Sequence, residues 1–264
     1  MYDFNYHKPV SIDEAIQLFS AAEDGIYLAG GHTLLPSMKQ RLATPTDVID
    51  LAGIGGLSGI EDVGEGLEIG ALTAHDEVAT SSVVQAEIPA LAELASLIGD
   101  AQVRNRGTMG GSVSNSDPAA DYPAGVLGLG AEIVTNKRSI AADDFFTAMF
   151  ETALEEGELL TKIKFPKPEA AAYIKFPNPA SRYATVGVFM ARTGSGVRVA
   201  ITGAAPSVFR STDMEDALNG EFSVEALEGI TLDADEMNSD LHATAEYRAH
   251  LCTVMAKRAV RKLL

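Results

Sequence analysis

Residues 104–123 of this 264-residue chain carry the side chains best suited to binding a polar ligand. Glycine lets backbone N–H groups approach a ligand closely, and hydroxyl, amide and carboxylate groups form hydrogen bonds with phosphates and sugars. The segment lacks the apolar period of a helix or a strand, so we predict a long binding loop. Its glycines and polar side chains include Gly107, Gly110, Gly111, Thr108, Ser112, Ser114, Asn115, Ser116, Asp117 and Asp121.

A second glycine-containing segment, Gly30-Gly31-His32-Thr33, follows the short apolar stretch 26–29 and precedes a predicted helix over 34–42. This order of strand, glycine turn and helix is the one in which a helix N-terminus presents unpaired N–H groups to a phosphate. The segment matches neither the dinucleotide fingerprint Gly-x-Gly-x-x-Gly nor a phosphate loop that ends in Gly-Lys-Ser/Thr. An ordinary strand-to-helix turn therefore remains an alternative.

Composition excludes several classes of protein. The formal net charge of −17, from 20 basic and 37 acidic residues, disfavours nucleic acid or an anionic membrane as the main partner. The sequence contains no apolar run long enough to span a bilayer and no leader-like N-terminus, so we expect a cytoplasmic chain without a membrane span.

Cysteine and histidine usage argues against a metal centre. The single Cys252 cannot form an internal disulfide, a cysteine-ligated iron–sulfur cluster or a cysteine-rich zinc site. None of the five histidines forms a His-x-x-x-His pair. We interpret His75, which Asp76 and Glu77 follow, as the start of a helix with acidic residues near its positive end. We predict no metal ligand and no catalytic acid–base pair, since Asp117-Pro118 is typical of a turn.

Hydrophobic periodicity and turn residues predict the elements that position these segments. We expect helices over 12–22, 34–42, 76–80, 89–98, 121–129, 214–218 and 243–263, and strands over 26–29, 48–51, 57–62, 67–72, 131–135, 159–165, 184–192 and 197–205. Strands and helices that do not alternate strictly indicate an α+β fold. The pair Pro166 and Pro168 divides the prediction into domains 1–168, with subdomains of about 1–55 and 56–168, and 169–264.

Two motifs resemble those of a known family. The segment Ala29–Pro36 resembles the first FAD motif of the flavoprotein subunit of molybdenum hydroxylases, and Thr108–Ser112 resembles the second. This family includes the medium subunit of aerobic carbon monoxide dehydrogenase and the FAD domain of xanthine dehydrogenase. The resemblance covers essentially the whole chain. It implies an FAD-binding domain of two α+β subdomains, of the vanillyl-alcohol-oxidase or PCMH-like type, followed by a small C-terminal α+β domain.

The resemblance also implies roles for single residues. The backbone of Gly30–Thr33 and the Thr33 hydroxyl would hold the FAD pyrophosphate, and Asp121 would accept hydrogen bonds from ribityl or ribose hydroxyls. Met109 would press against the flavin ring, and Tyr183 either covers the other face of that ring or is an ordinary hairpin tyrosine. The predicted cofactor-binding residues are Ala29, Gly30, Gly31, His32, Thr33, Leu34, Leu35, Thr108, Met109, Gly110, Gly111, Ser112, Asn115, Asp121, Lys175 and Tyr183.

Three further residues in this region carry expectations of their own. Gly111 is expected to need a positive φ, which a β-branched side chain resists. Arg104 and Arg106 either neutralise phosphate or form surface ion pairs.

In the family that the motifs resemble, a large subunit oxidises substrate at a molybdenum cofactor and a small subunit carries [2Fe–2S] clusters. The flavoprotein subunit passes the electrons to an acceptor. The resemblance therefore implies noncovalent FAD and a heterotrimer, or a dimer of heterotrimers, with an iron–sulfur small subunit and a molybdenum large subunit. Two alternatives remain: a stand-alone FAD-dependent oxidoreductase with its own substrate pocket, and a scaffold subunit that has lost its flavin.

Overall fold

The first of three main β-sheets is a parallel sheet at the N-terminus of the computed structural model, which describes residues 1–264. Its strands are β1 (Asn5–His7), β2 (Gly25–Leu28) and β3 (Asp47–Asp50), in the order β1-β3-β2, and the helices α1 (Ile12–Ala21) and α2 (Leu34–Lys39) connect them. The Ser11 side chain caps α1 by accepting a hydrogen bond from the Glu14 N–H at 3.2 Å, as the spacing of these residues predicts. Helix α2 is shorter than predicted because Arg41 has a φ of 62° and turns the chain.

The second sheet is antiparallel and has the order β4-β5-β10-β6-β7. The strands of this part of the chain are β4 (Ile60–Asp62), β5 (Gly66–Gly70), β6 (Glu132–Thr135), β7 (Ser139–Ala141), β8 (Phe146–Ala148), β9 (Glu151–Thr152) and β10 (Leu160–Pro166). Its helices are α3 (His75–Thr80), α4 (Ser82–Glu87), α5 (Pro89–Ser96), α6 (Ala101–Arg104), α7 (Met109–Asn115), α8 (Tyr122–Leu129) and α9 (Ala142–Phe145). Strands β8 and β9 form a separate small hairpin.

The third sheet is also antiparallel and has the order β11-β12-β13-β14. The elements of this part are β11 (Ala170–Pro177), β12 (Ala184–Thr193), β13 (Gly196–Thr202), β14 (Phe209–Arg210), α10 (Thr212–Gly220) and α11 (Ala245–Leu263). The predicted hairpin over 184–205 is confirmed by the pairing of β12 with β13. Strand β11 was not predicted, since three consecutive alanines at its start have a weak preference for strands.

Strand β12 is buried on both faces and joins two cores. Phe189 and Ala191 belong to the core that contains the second sheet and helices α5 and α8, whereas Val188 and Met190 belong to the core formed with α10 and α11. The third sheet therefore packs against the preceding part of the chain through one face. This packing places the end of β11 and the loop before β12 close to the polar segment 104–123.

The architecture confirms the predicted α+β fold, but the prediction of a continuous loop over 104–123 is wrong for residues 109–115. Residues 109–115 form α7, which Thr108 caps by accepting a hydrogen bond from the Gly111 N–H at 3.2 Å. Glycine and serine favour a helix weakly, so the local sequence gave no helical signal, and capping and burial of Val113 determine the conformation instead. None of the helices has both the length and the apolar character needed to cross a bilayer.

Candidate functional site

A cavity of about 760 Å³ lies where the three parts of the chain meet. Its walls come from β2 and the following loop, from helices α3 and α7, and from the loop before β12. Cofactor pockets in proteins have volumes of about 300–1,000 Å³, so the cavity has the size of a large cofactor.

The first wall is the loop Gly30–Thr33, which we call the first glycine loop. The backbone N–H groups of its four residues make no hydrogen bond within the chain. The loop turns at Gly31, whose φ of 73° favours glycine. The Thr33 side chain does not cap α2, so its hydroxyl also remains available. A row of unpaired N–H groups in a concave loop attracts an anion such as a phosphate.

The second wall is the segment Gly107–Ser112, which we call the second glycine loop. Its N–H groups, except that of Thr108, form hydrogen bonds within the protein: for example, Met109 donates to the Thr73 carbonyl at 3.0 Å, and Gly110 donates to the Ala71 carbonyl at 2.8 Å. A Cβ atom on Gly110 would lie 2.6 Å from the Ala71 Cβ, so glycine is required there for close packing. This loop offers the cavity mainly side chains: Thr108 and Ser112, with Ser114 and Asn115 further along α7, line it.

The two glycine loops cross at Gly30. A Cβ atom on Gly30 would lie 2.1 Å from the Arg106 carbonyl oxygen and 2.8 Å from the Gly107 Cα atom. Only glycine permits this approach, because any side chain would overlap the backbone of the other loop. The crossing brings the backbone donors of the first loop and the hydroxyl groups of the second to one cavity.

The third wall is the Asp121 carboxylate. Tyr173 donates a hydrogen bond to Oδ1 at 2.5 Å, and the Lys175 ammonium donates to Oδ2 at 2.9 Å and to the Leu97 carbonyl at 3.1 Å. The side chains of Asp121 and Lys175 are each 4% exposed. Burial raises the pKa of the Asp121 carboxyl, while Lys175 and Tyr173 act in the opposite direction. Strand β11 thus fixes a carboxylate that borders the cavity.

The rim of the cavity carries Tyr183, which is 47% exposed. Burial, followed by the carboxylates of Asp117 and Asp121, raises the pKa of its phenol, so the group remains a hydrogen-bond donor. Asp117 accepts a hydrogen bond from the Ala119 N–H at 2.9 Å, which is the turn predicted from its sequence. The neighbouring Arg182 has a φ of 62° and donates to the Gly99 carbonyl at 3.3 Å.

All but three of the predicted cofactor-binding residues line this cavity. Met109 is fully buried in the core, so the expected contact of its thioether with the flavin ring is wrong in this structure. Leu35 packs its δ-methyl group below Gly31, and Lys175 lies behind Asp121. The expected positive φ at Gly111 is also wrong, because this residue is helical.

Several residues that line the cavity were not predicted. They include His75, Glu158, Ser181 and Arg182, which lie far in sequence from both glycine loops. Hydrogen bonds from Arg138 and Thr135 lower the pKa of Glu158 to about 2, although its burial opposes this shift. Arg104 does not line the cavity, and it donates instead to the Ile98 carbonyl at 3.1 Å.

Comparison with known proteins agrees with this geometry. A family model described as "FAD binding domain in molybdopterin dehydrogenase" matches residues 2–168. The chain belongs to this family of FAD-binding subunits. A second model, "CO dehydrogenase flavoprotein C-terminal domain", matches residues 171–263 of the subunit. FAD is therefore the cofactor of this chain, and the cavity walls fit it, since unpaired N–H donors suit a pyrophosphate and the hydroxyl and carboxylate groups suit a ribityl chain.

Relatives of this FAD-binding subunit match it over nearly its whole length. The carbon monoxide dehydrogenase medium chain of Hydrogenophaga pseudoflava is 37% identical, over 97% of this chain and 96% of the relative. The nicotine 6-hydroxylase medium subunit of Paenarthrobacter nicotinovorans is 36% identical, over 97% and 95% respectively. These relatives are oxidoreductase subunits.

Solved structures show the same fold. Carbon monoxide dehydrogenase from Hydrogenophaga pseudoflava, in a form that lacks the Mo-pyranopterin moiety of the molybdenum cofactor, matches with a TM-score of 0.91 and 38% identity. That match covers 98% of this chain and 96% of the other. Quinoline 2-oxidoreductase from Pseudomonas putida 86 matches with a TM-score of 0.87 and 27% identity, over 99% of this chain and 96% of the other.

Proposed function

We propose that this chain is the electron-transfer subunit of a multisubunit molybdenum hydroxylase. Bound FAD supplies the redox chemistry, and the protein supplies binding, orientation and the electrostatic surroundings. Electrons would arrive from [2Fe–2S] clusters of a small partner subunit and leave to an external acceptor. A large partner subunit would hold the molybdenum cofactor and oxidise the substrate.

One observation carries this proposal: Gly30–Thr33, whose N–H groups are unpaired, line a cavity of cofactor size at the point where the two glycine loops cross. Four neighbouring backbone donors without a partner in the protein are costly unless water or a ligand satisfies them. The FAD pyrophosphate matches these donors in charge. We infer that Thr33, Thr108, Ser112, Asn115 and Asp121 bind the remaining polar groups of the cofactor.

We propose that FAD is held noncovalently. The only cysteine, Cys252, is buried in α11 and does not line the cavity. Acid precipitation of the purified chain is expected to leave the yellow flavin in the supernatant. Flavin that remains with the precipitated protein would contradict noncovalent binding.

The need for partner subunits follows from the ligands that the chain lacks. One cysteine cannot ligate a [2Fe–2S] cluster, which needs four ligands of the cysteine or histidine type. The substrate names of relatives with 36–37% identity, carbon monoxide and nicotine, have no chemistry in common. We infer that the large partner subunit, and not this chain, determines which substrate is oxidised.

The division into residues 1–168 for FAD binding and 169–264 for a C-terminal domain is part of the same proposal. The two family models support it, because they match residues 2–168 and 171–263 separately. We also propose that the assembly is a heterotrimer or a dimer of heterotrimers in the cytoplasm.

Co-purification from the native host tests this proposal. We expect the chain to bring down a cysteine-rich small subunit and a large subunit that contains molybdenum. The isolated chain is expected to bind FAD and to hydroxylate no substrate. Its reduced flavin should be reoxidised only slowly by dyes or oxygen. If the isolated chain oxidises an organic substrate at a typical enzymatic rate, about 1–1,000 per second, the subunit role is wrong and a stand-alone flavoenzyme is correct.

A further inference from the structure

The buried histidine His75 borders the crossing of the two glycine loops. It is the first residue of α3, and its backbone N–H donates to the Gly107 carbonyl at 3.0 Å. The residue is 5% exposed, yet it belongs to the lining of the cavity. A Cβ atom on Gly107 would lie 2.6 Å from His75 Nε2, so the glycine at this position leaves room for the imidazole edge.

The two ring nitrogens of His75 differ in their surroundings. Nδ1 is fully buried and has no hydrogen-bond partner. Nε2 also makes no hydrogen bond within the chain, but it is not among the fully buried atoms, so it opens onto the cavity. The ring packs against Tyr122 with centroids 5.2 Å apart, which restricts its orientation.

The imidazole is neutral at physiological pH. Burial, followed by His32 and Arg104, lowers the pKa of His75 to about 4. A neutral imidazole has one N–H donor and one acceptor nitrogen. A proton on Nδ1 would be a buried donor without a partner, whereas a proton on Nε2 can reach a ligand in the cavity.

We propose that His75 donates a hydrogen bond from Nε2–H to the FAD pyrophosphate, beside the backbone donors of the first glycine loop. The position of His75 Nε2 supports the pyrophosphate as the acceptor of this hydrogen bond. Nε2 lies against Gly107, which in turn lies against Gly30 of the first glycine loop. His75 is then a binding residue that neither glycine loop contains. This inference rests on FAD binding by the chain and goes further by naming a side-chain donor for the pyrophosphate.

The test compares His75→Leu with His75→Gln by titrating FAD and ADP into the flavin-free chain. ADP carries the pyrophosphate without the flavin ring. A hydrogen bond to a charged group contributes enough that His75→Leu should weaken both ligands by about 10- to 100-fold. His75→Gln keeps an N–H donor at this position and should bind both within about threefold of the parent.

Thermal unfolding of the flavin-free variants separates binding from folding. Leucine replaces an imidazole whose Nδ1 is buried without a partner, so His75→Leu should be no less stable than the parent. Tyr122→Phe is the matched control, since it removes a neighbouring buried hydroxyl that has no partner and does not line the cavity, and it should leave both affinities unchanged.

Four outcomes would overturn this inference: equal affinities in His75→Leu and the parent, a loss for FAD with none for ADP, a loss in His75→Gln as large as in His75→Leu, or a matching loss in Tyr122→Phe. A parent chain that binds no FAD would instead contradict the proposed function itself, so the two failures are distinguishable.

Discussion

The two glycine loops that line the cavity contain similar residues but use their backbones in different ways. The first loop, Gly30–Thr33, leaves its N–H groups unpaired, and its turn depends on the positive φ of Gly31. The second loop uses the N–H groups of Met109, Gly110 and Gly111 within the protein, and its glycines permit close packing. A glycine-rich motif therefore serves either to expose backbone donors or to bring elements together, and the sequence alone does not distinguish these uses.

The largest effect is expected where the two loops cross. Gly30→Ala places a methyl group 2.1 Å from the Arg106 carbonyl oxygen, so the loops must separate. Overpacking of this severity costs more than about 3 kcal/mol, and the FAD affinity should fall more than about 100-fold. Gly55→Ala is the matched control, because its added Cβ meets no atom within 4 Å. Titration of FAD into both variants measures the difference, and equal affinities would show that the crossing does not matter.

The Asp121 carboxylate differs from the N–H groups of the first glycine loop because it already has hydrogen-bond partners within the protein. Lys175→Met leaves a buried carboxylate without its counter-ion, and the free energy of unfolding should fall by about 3–5 kcal/mol. The control is Lys162→Met, which removes a more exposed ion pair with Glu68 worth no more than about 1 kcal/mol. Denaturant unfolding of the flavin-free variants tests this prediction. A Lys175→Met variant as stable as its control would contradict a structural role for the buried pair.

Gly110 and Gly111 should respond differently to alanine, although they are adjacent. The Gly110→Ala methyl would overlap Ala71 and lower the free energy of unfolding by about 1–3 kcal/mol. The Gly111→Ala methyl lies 3.6 Å from Ala29 and 2.8 Å from the Thr108 hydroxyl, so it displaces this cap at a cost of about 1 kcal/mol, but alanine is favoured over glycine in a helix by about the same amount. We expect Gly111→Ala to keep its stability and to lose FAD affinity, because its methyl group lies at the cavity wall between the loops. Unfolding curves and FAD titrations test both variants. If Gly110→Ala keeps its stability but loses FAD affinity, and Gly111→Ala loses stability but keeps FAD affinity, the roles assigned to the two glycines are reversed.

The smallest effects on stability and FAD affinity are expected for substitutions of Thr108 and Thr33. Thr108 caps α7, so Thr108→Val should lower the free energy of unfolding by about 1 kcal/mol. Thr33 makes no capping hydrogen bond, so Thr33→Val should leave stability unchanged and weaken FAD binding about tenfold through loss of a hydrogen bond to phosphate. Unfolding curves and FAD titrations of both variants give the comparison. A loss of stability in Thr33→Val would show that its hydroxyl serves the fold.

The sequence predicted most of the elements because their signals are local. The Ser11 cap, the strand before Gly30 and the hairpin over 184–205 each depend on neighbouring residues, and all three are present. Both glycine loops were also predicted to bind a ligand from composition and motif resemblance, and residues of both line the cavity.

The incorrect predictions have a common physical cause. Contacts between residues distant in sequence determine the conformation at these positions. Helix α7 has a sequence that favours a loop, but the Thr108 cap and burial of Val113 stabilise it. Met109 was assigned to the flavin ring from the motif resemblance, whereas in α7 it is buried in the core. The sequence indicated only a helix start at His75, since its approach to Gly107 exists only when α3 packs beside the second loop.

Amide hydrogen exchange, followed residue by residue with and without FAD, tests the difference between the two loops most directly. In the flavin-free chain we expect rapid exchange of the Gly30–Thr33 amides, which have no partner, and slow exchange of the Met109 and Gly110 amides, which have one. FAD should slow exchange in the first loop strongly and leave the second nearly unchanged. New protection of Met109 and Gly110, with no change over Gly30–Thr33, would contradict the assignment of the first loop as the donor of backbone hydrogen bonds to FAD.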